Sequence, residues 1–129
     1  MRAAVLGSPV GHSLSPVLHG AAYAALGLHD WHYGAHECAE PELAGFLAGL
    51  DDDWAGLSLT MPLKRVALEV ADEVSPLVAA TGAANTLVLR GGRRRAENTD
   101  VAGIVAALRG AGATAGPAVV LGAGGTAQA

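Results

Sequence analysis

Cysteine is almost missing from this chain. Cys38 stands alone, so no disulfide framework can be drawn and a reducing compartment is expected. Basic residues are also few. Eight Lys and Arg face twelve Asp and Glu, for a formal net charge of −4. That balance argues against nucleic acid as a main partner, because phosphate binding favours a basic face. The one basic run, Arg93-Arg94-Arg95, follows Gly91-Gly92 and reads as a solvated hairpin tip. Long hydrophobic runs are missing too. No stretch approaches the ~20 apolar residues of a membrane span, and no basic segment leads into an apolar one at the start. A cytoplasmic protein with no membrane partner is therefore expected. Aromatics make up only 4% of the chain, yet 51% of it is apolar, which is enough for a core. The length of 129 residues suits one ordinary domain, or one plus part of another.

The patterning then alternates. Arg2 to Leu6, Trp31 to Cys38 and Trp54 to Leu59 read as strands. Pro16 to Leu26 reads as a helix stopped by Gly27. Pro41 to Leu50 carries Leu43, Phe46, Leu47 and Leu50 at helical spacing, and Leu63, Val66, Ala67 and Val70 repeat it in a helix expected from Pro62 onward. Thr86 to Arg90 and Arg93 to Glu97 form a strand pair across Gly91-Gly92. Val101, Ile104, Val105 and Leu108 mark another helix, and Ala118 to Leu121 a last strand before a glycine loop. Strands alternating with helices predict an α/β protein: a three-layer αβα domain on a mostly parallel sheet. The first strand and glycine loop of a Rossmann-like domain would follow it. The expected division is residues 1–100 and 101–129.

Polar residues gather at the joins. Ser15-Pro16, Thr60-Met61-Pro62 and Ser75-Pro76 each put a hydroxyl just ahead of a proline. One reading is helix capping, with Ser15 as N-cap. It leaves Ser13 without a task. The other is that Ser13, Ser15 and Thr60 lie beyond the carboxyl ends of parallel strands, where open α/β folds bind ligands. There they suit a small carboxylate bearing several hydroxyls. Lys64 falls in the first turn of the expected helix, where a cation faces the unfavourable end of the macrodipole. It is either a solvated surface lysine or a general acid/base. Asp100, in Asn98-Thr99-Asp100, is a helix-start residue or the partner of Lys64 in moving a proton to or from a hydroxyl. Asn85 is a turn residue or a ligand contact.

Val119 to Ala127 fits a dinucleotide fingerprint, with Gly122 and Gly124, and Ala127 in the third place. Gly122, Ala123, Gly124, Gly125 and Thr126 are its candidate cofactor-binding residues. His32, His36 and Cys38 share one strand but lack zinc spacing, so no metal site is expected. His12 and His19 flank the serine loop and are given no chemistry.

Five blocks appear in order: Gly7-Ser-Pro-Val-Gly-His-Ser-Leu-Ser-Pro16, Gly56-Leu-Ser-Leu-Thr-Met-Pro-Leu-Lys64, Gly82-Ala-Ala-Asn-Thr86, Asn98-Thr-Asp100 and Gly122-Ala-Gly-Gly-Thr-Ala127. As an ordered set they resemble the shikimate dehydrogenase family over nearly the whole chain, with the second block closest to the actinobacterial branch. The family reduces 3-dehydroshikimate to shikimate with NADPH, on the route to chorismate and the aromatic amino acids. The resemblance implies that Ser13 and Ser15 hold the carboxylate and that Thr60, Asn85 and Asp100 bond ring hydroxyls. It implies that Lys64 is the acid/base, oriented by Asp100. Many family members carry Asn where this chain has Ser58. Measured against the family, the chain is expected to be a substrate domain plus the opening of the NADP domain, weakly active or inactive alone. A quinate or aminoshikimate relative, a non-catalytic shikimate-binding module and a homodimer stay open.

Overall fold

In β1 (Arg2–Gly7) the first apolar run becomes a strand whose last four residues are buried. The computed structural model describes residues 1–128. After β1 come α1 (Ser15–Ala25), β2 (His32–Glu37), a 3-10 turn (Glu40–Glu42) running into α2 (Leu43–Ala48), and β3 (Trp54–Leu59). The short α3 (Ala67–Val70), β4 (Glu73–Val74) and α4 (Pro76–Thr81) follow. The chain then forms the hairpin β5 (Thr86–Arg90) and β6 (Arg93–Glu97), and α5 (Asp100–Gly110). The six strands make one sheet in the order β2-β1-β3-β5-β6-β4. Only β5 runs against its neighbours, so the expected mostly parallel sheet is what forms.

The period of two sorts the faces. Ala4, Leu6, Leu57, Leu59, Leu87 and Ala96 point to one side, where they meet Leu43, Leu47, Leu63, Ala67 and Val78 in the core. Tyr33 and Ser58 lie opposite Ala3 and Val5 and share the other face, on which the His19 ring of α1 stacks. Helices thus cover both sides.

Local chemistry sets the ends of the elements. Gly27, at φ 68°, follows α1 in the left-handed backbone expected of it. Gly91 and Gly92, at φ 58° and 73°, make the tight turn of the hairpin. Ser75 caps α4, its hydroxyl accepting from the Val78 N–H at 3.3 Å.

Three expectations are corrected. The arginines do not form the hairpin tip; they belong to β6 and pair across the surface, Arg93 with Glu73, Arg94 with Asp72 and Arg95 with Glu97. No helix begins at Pro62. Residues 61–66 are successive turns, because the Lys64 carbonyl accepts from the Ala84 N–H at 2.7 Å and so leaves the helical ladder. The macrodipole argument for Lys64 lapses with that helix. Ala118 to Leu121 is not a strand: residues 117–123 carry no regular structure, and Val119 and Leu121 are 87% and 94% exposed. A strand is made by its partners, and among the described residues none pairs with this run.

Candidate active site at the carboxyl edge of the sheet

The parallel strands β1, β3 and β6 end on the same edge, and antiparallel β5 begins there. Ser13 and Ser15 therefore follow β1, Thr60 and Lys64 follow β3, Asn85 precedes β5 and Asp100 follows β6. Backbone bonds fix these joins. The Thr60 N–H donates to the Leu6 carbonyl at 2.9 Å, the Leu59 N–H to the Asn85 carbonyl at 2.7 Å, and the Asn85 N–H to the Glu97 carbonyl at 3.1 Å. Gly7 lies so close to Thr60 that a Cβ on it would collide with Thr60 Cγ2 and sit 2.8 Å from the Met61 carbonyl oxygen. The absence of that Cβ lets β1 and the Thr60 loop meet.

Lys64 and Asp100 form an ion pair at 2.6 Å, 17% and 22% exposed. The Asn85 amide donates to the second oxygen of Asp100 at 2.8 Å and to the Thr99 hydroxyl at 2.7 Å. Asn98 holds Asp100 from behind. Its buried side chain donates to the Ala83 carbonyl at 2.9 Å and accepts from the Asp100 N–H at 2.9 Å and the Val101 N–H at 3.3 Å. Asn98, rather than Thr99 or Asp100, thus serves the start of α5. The result is an ammonium aimed by a carboxylate that is itself fixed on both oxygens. Such a unit can pass a proton to an oxygen placed against Lys64.

Lys64 also donates to the Thr126 hydroxyl at 2.9 Å. This joins it to the glycine loop across a cavity of about 750 Å³, within the range of small-molecule sites. Thr60, Lys64, Gly122, Gly124, Gly125 and Thr126 line the cavity, with Met61, Pro62 and Ile104 among its apolar walls; Ala123 does not. Gly122 stands at φ 116°, and a Cβ on Gly122 or Gly124 would meet nothing within 4 Å. A bare backbone beside apolar walls fits the approach of a dinucleotide.

The serine pair is apart from that cavity. Ser15 is not an N-cap. Helix α1 begins at Ser15 itself, Leu14 holds the cap position, and no side chain caps it. Instead Ser13 Oγ accepts from the Ser15 N–H at 3.3 Å, so Ser13 does the local turn work. The loop before them is anchored by Glu37, which accepts from the Val10 N–H at 3.1 Å. The Ser8 hydroxyl and that N–H hold the Glu37 carboxyl below its usual value.

Sequence reasoning missed Tyr33. Its hydroxyl donates to Ser58 Oγ at 2.7 Å, and burial pushes its phenol up against the opposing hydrogen bonds to Ser58 and Ser15. Nothing marks this in the sequence, because the partners are 25 residues apart. As for metals, the described residues hold no cluster of three or more His, Cys, Asp or Glu. Among them, no helix is long and apolar enough to cross a membrane.

An open, mostly parallel sheet with a lysine–carboxylate pair at its carboxyl edge defines an α/β domain that meets a glycine loop. The shikimate dehydrogenase substrate binding domain matches residues 5–87, and the chain belongs to that family. It is 44% identical over its whole length to the shikimate dehydrogenase (NADP(+)) of Thermus thermophilus and spans 49% of that protein. It is 42% identical over 97% of its length to that of Symbiobacterium thermophilum, spanning 43% of it. The chain therefore covers about half the length of the curated relatives it matches. Among solved structures, the Thermus thermophilus enzyme in complex with NADP(H) and shikimate superposes with a TM-score of 0.91 at 43% identity, covering 99% of this chain and 49% of that one. The Mycobacterium tuberculosis shikimate dehydrogenase gives 0.81 at 50% identity, covering 84% and 42%.

Proposed function

We propose that this chain is the shikimate-binding half of an NADP-dependent shikimate dehydrogenase. Residues 1–100 form the substrate unit, and 101–129 form a connecting helix and the opening of the cofactor domain. The observation that carries the reading is the Lys64–Asp100 pair at 2.6 Å, held by Asn85, with Lys64 lining the glycine-loop cavity. The named relatives act with NADP(+), and one is solved with both ligands. NADPH, when bound, supplies the hydride for the carbonyl carbon of 3-dehydroshikimate. Lys64 then gives its ammonium proton to the carbonyl oxygen, and in the reverse direction takes the hydroxyl proton back. Asp100 aims Lys64 and offers an acceptor to a ring hydroxyl, as do Asn85 and Thr60. Ser13 and Ser15 hold the carboxylate. Gly122 to Thr126 provide the cofactor loop.

Calorimetric titration with shikimate tests the reading. The parent chain should bind, and Lys64→Ala should weaken binding at least tenfold. Equal binding by both, or none by the parent, would reject it.

A further inference from the structure

The glycine loop is clasped onto Lys64. Residues 124–127 form a turn closed by the Ala127 N–H, which donates to the Gly124 carbonyl at 2.9 Å. Gly125 and Thr126 stand at its middle. Thr126 lies 62 residues from Lys64 in the chain, and its hydroxyl oxygen accepts from the Lys64 ammonium at 2.9 Å. Gly125 lies along the lysine stem: a Cβ there would sit 3.0 Å from Lys64 Cδ and 3.2 Å from Lys64 Cβ. The loop thus meets the side chain twice, with bare backbone on the stem and a hydroxyl at the head. Asp100 takes a second proton of the same ammonium at 2.6 Å, and Asn85 and Asn98 fix Asp100 in turn. An ammonium has three protons. Two are committed to these acceptors, and the third is left for an oxygen placed against Lys64.

We infer that Thr126 is a positioning residue for Lys64: its hydroxyl and the Asp100 carboxylate together fix the ammonium, so that the third proton is presented to the substrate oxygen at the reacting carbon. The inference rests on the shikimate reading above and gives Thr126 a task besides that of a cofactor-loop residue. The physical ground is conformational freedom. Lysine carries its charge on a flexible four-carbon stem. One acceptor leaves the ammonium free to turn about that single bond, and a second stops the turning. A head already ordered loses less freedom when it donates to a ligand. The contact acts at the reacting oxygen. Its loss should therefore be felt by a ligand that carries this oxygen and not by one that lacks it.

The test compares the parent chain with Thr126→Val, which keeps the shape and removes the hydroxyl, and Thr126→Ser, which keeps the hydroxyl. Lys64 is the one lysine of the sequence, so its ammonium gives a single lysine signal in proton–nitrogen correlation spectra. Held by two acceptors, that signal should be visible in the free parent chain and in Thr126→Ser. In Thr126→Val its protons should exchange with water several-fold faster. Calorimetry then compares shikimate with 3-deoxyshikimate, which lacks the hydroxyl at the reacting carbon. Thr126→Val should lower shikimate affinity about two- to tenfold, the cost of ordering one long side chain on binding. Affinity for the deoxy compound should stay within twofold, and Thr126→Ser should restore shikimate binding. An equal loss for both ligands would show a merely structural role and overturn the inference. So would an ammonium signal unchanged in Thr126→Val, or unchanged shikimate affinity in that variant. A parent chain that binds neither ligand would overturn the functional reading, and this inference with it.

Discussion

The residues of the candidate site are held by one another more than by the elements they belong to. Lys64 lies in a run of turns, Asp100 opens a helix, and Asn85 precedes a strand. Each is fixed by hydrogen bonds whose partners are distant in the chain. Charge at the surface follows a simpler rule. The Arg94 side chain and its backbone N–H hold the Asp72 carboxyl below its ordinary value of 3.8. A carboxylate shifted down on folding stabilises the fold above its unfolded pKa, and that contribution is lost as pH falls through the folded one. Asp72→Asn should therefore lower the urea midpoint at pH 7 relative to the parent, and the gap should begin to narrow below about pH 4 and go on narrowing as the pH falls through the folded pKa. A gap that did not narrow at all as the pH fell would mean that Asp72 contributes by packing or by its turn. At this scale the sequence left Lys64 and Asp100 with two readings each, and the structure brings the two together as an ion pair. The sequence was not legible at Tyr33, whose role depends on the register of three strands.

At the scale of elements, apolar patterning was enough for most of the fold. Trp54–Leu59 and the hairpin strands Thr86–Arg90 and Arg93–Glu97 fall where alternation and the Gly91-Gly92 turn put them. Two failures have one cause. The segment after Pro62 had helical spacing, but Lys64 gives its carbonyl to Ala84 instead. Val119 to Leu121 had strand composition but no partner among the described residues. In both, a tertiary contact or its absence overrides local preference. The β3–β5 pairing shows how close such contacts are. A Cβ on Gly56 would lie 2.7 Å from the Leu87 carbonyl oxygen, an atom of backbone that cannot turn aside. Gly56→Ala should thus cost about 1–3 kcal/mol of stability, as overpacking does, measured by urea unfolding. A cost near zero would show that β3 and β5 can part without loss.

For the molecule as a whole, the core lies on one face of the sheet and the candidate site at its carboxyl edge. The core lies on the side of α2, α3 and α4, whereas α1 and α5 bury no residue fully. Leu87 is wholly buried in that core. Leu87→Ala should destabilise by about 2–5 kcal/mol, the range for emptying a leucine site. The folded fraction should keep its shikimate affinity, because the binding residues stand at the carboxyl edge. A matching loss of affinity at full folding would show that core and edge are coupled. The most direct test of the account is an amide NMR titration of the chain with shikimate. Shifts should concentrate at Ser13, Ser15, Thr60, Lys64, Asn85 and Asp100 and leave Gly91 and Gly92, at the far end of the sheet, in place. Shifts confined to other residues, or none at all, would contradict the assignment of this edge as the substrate site.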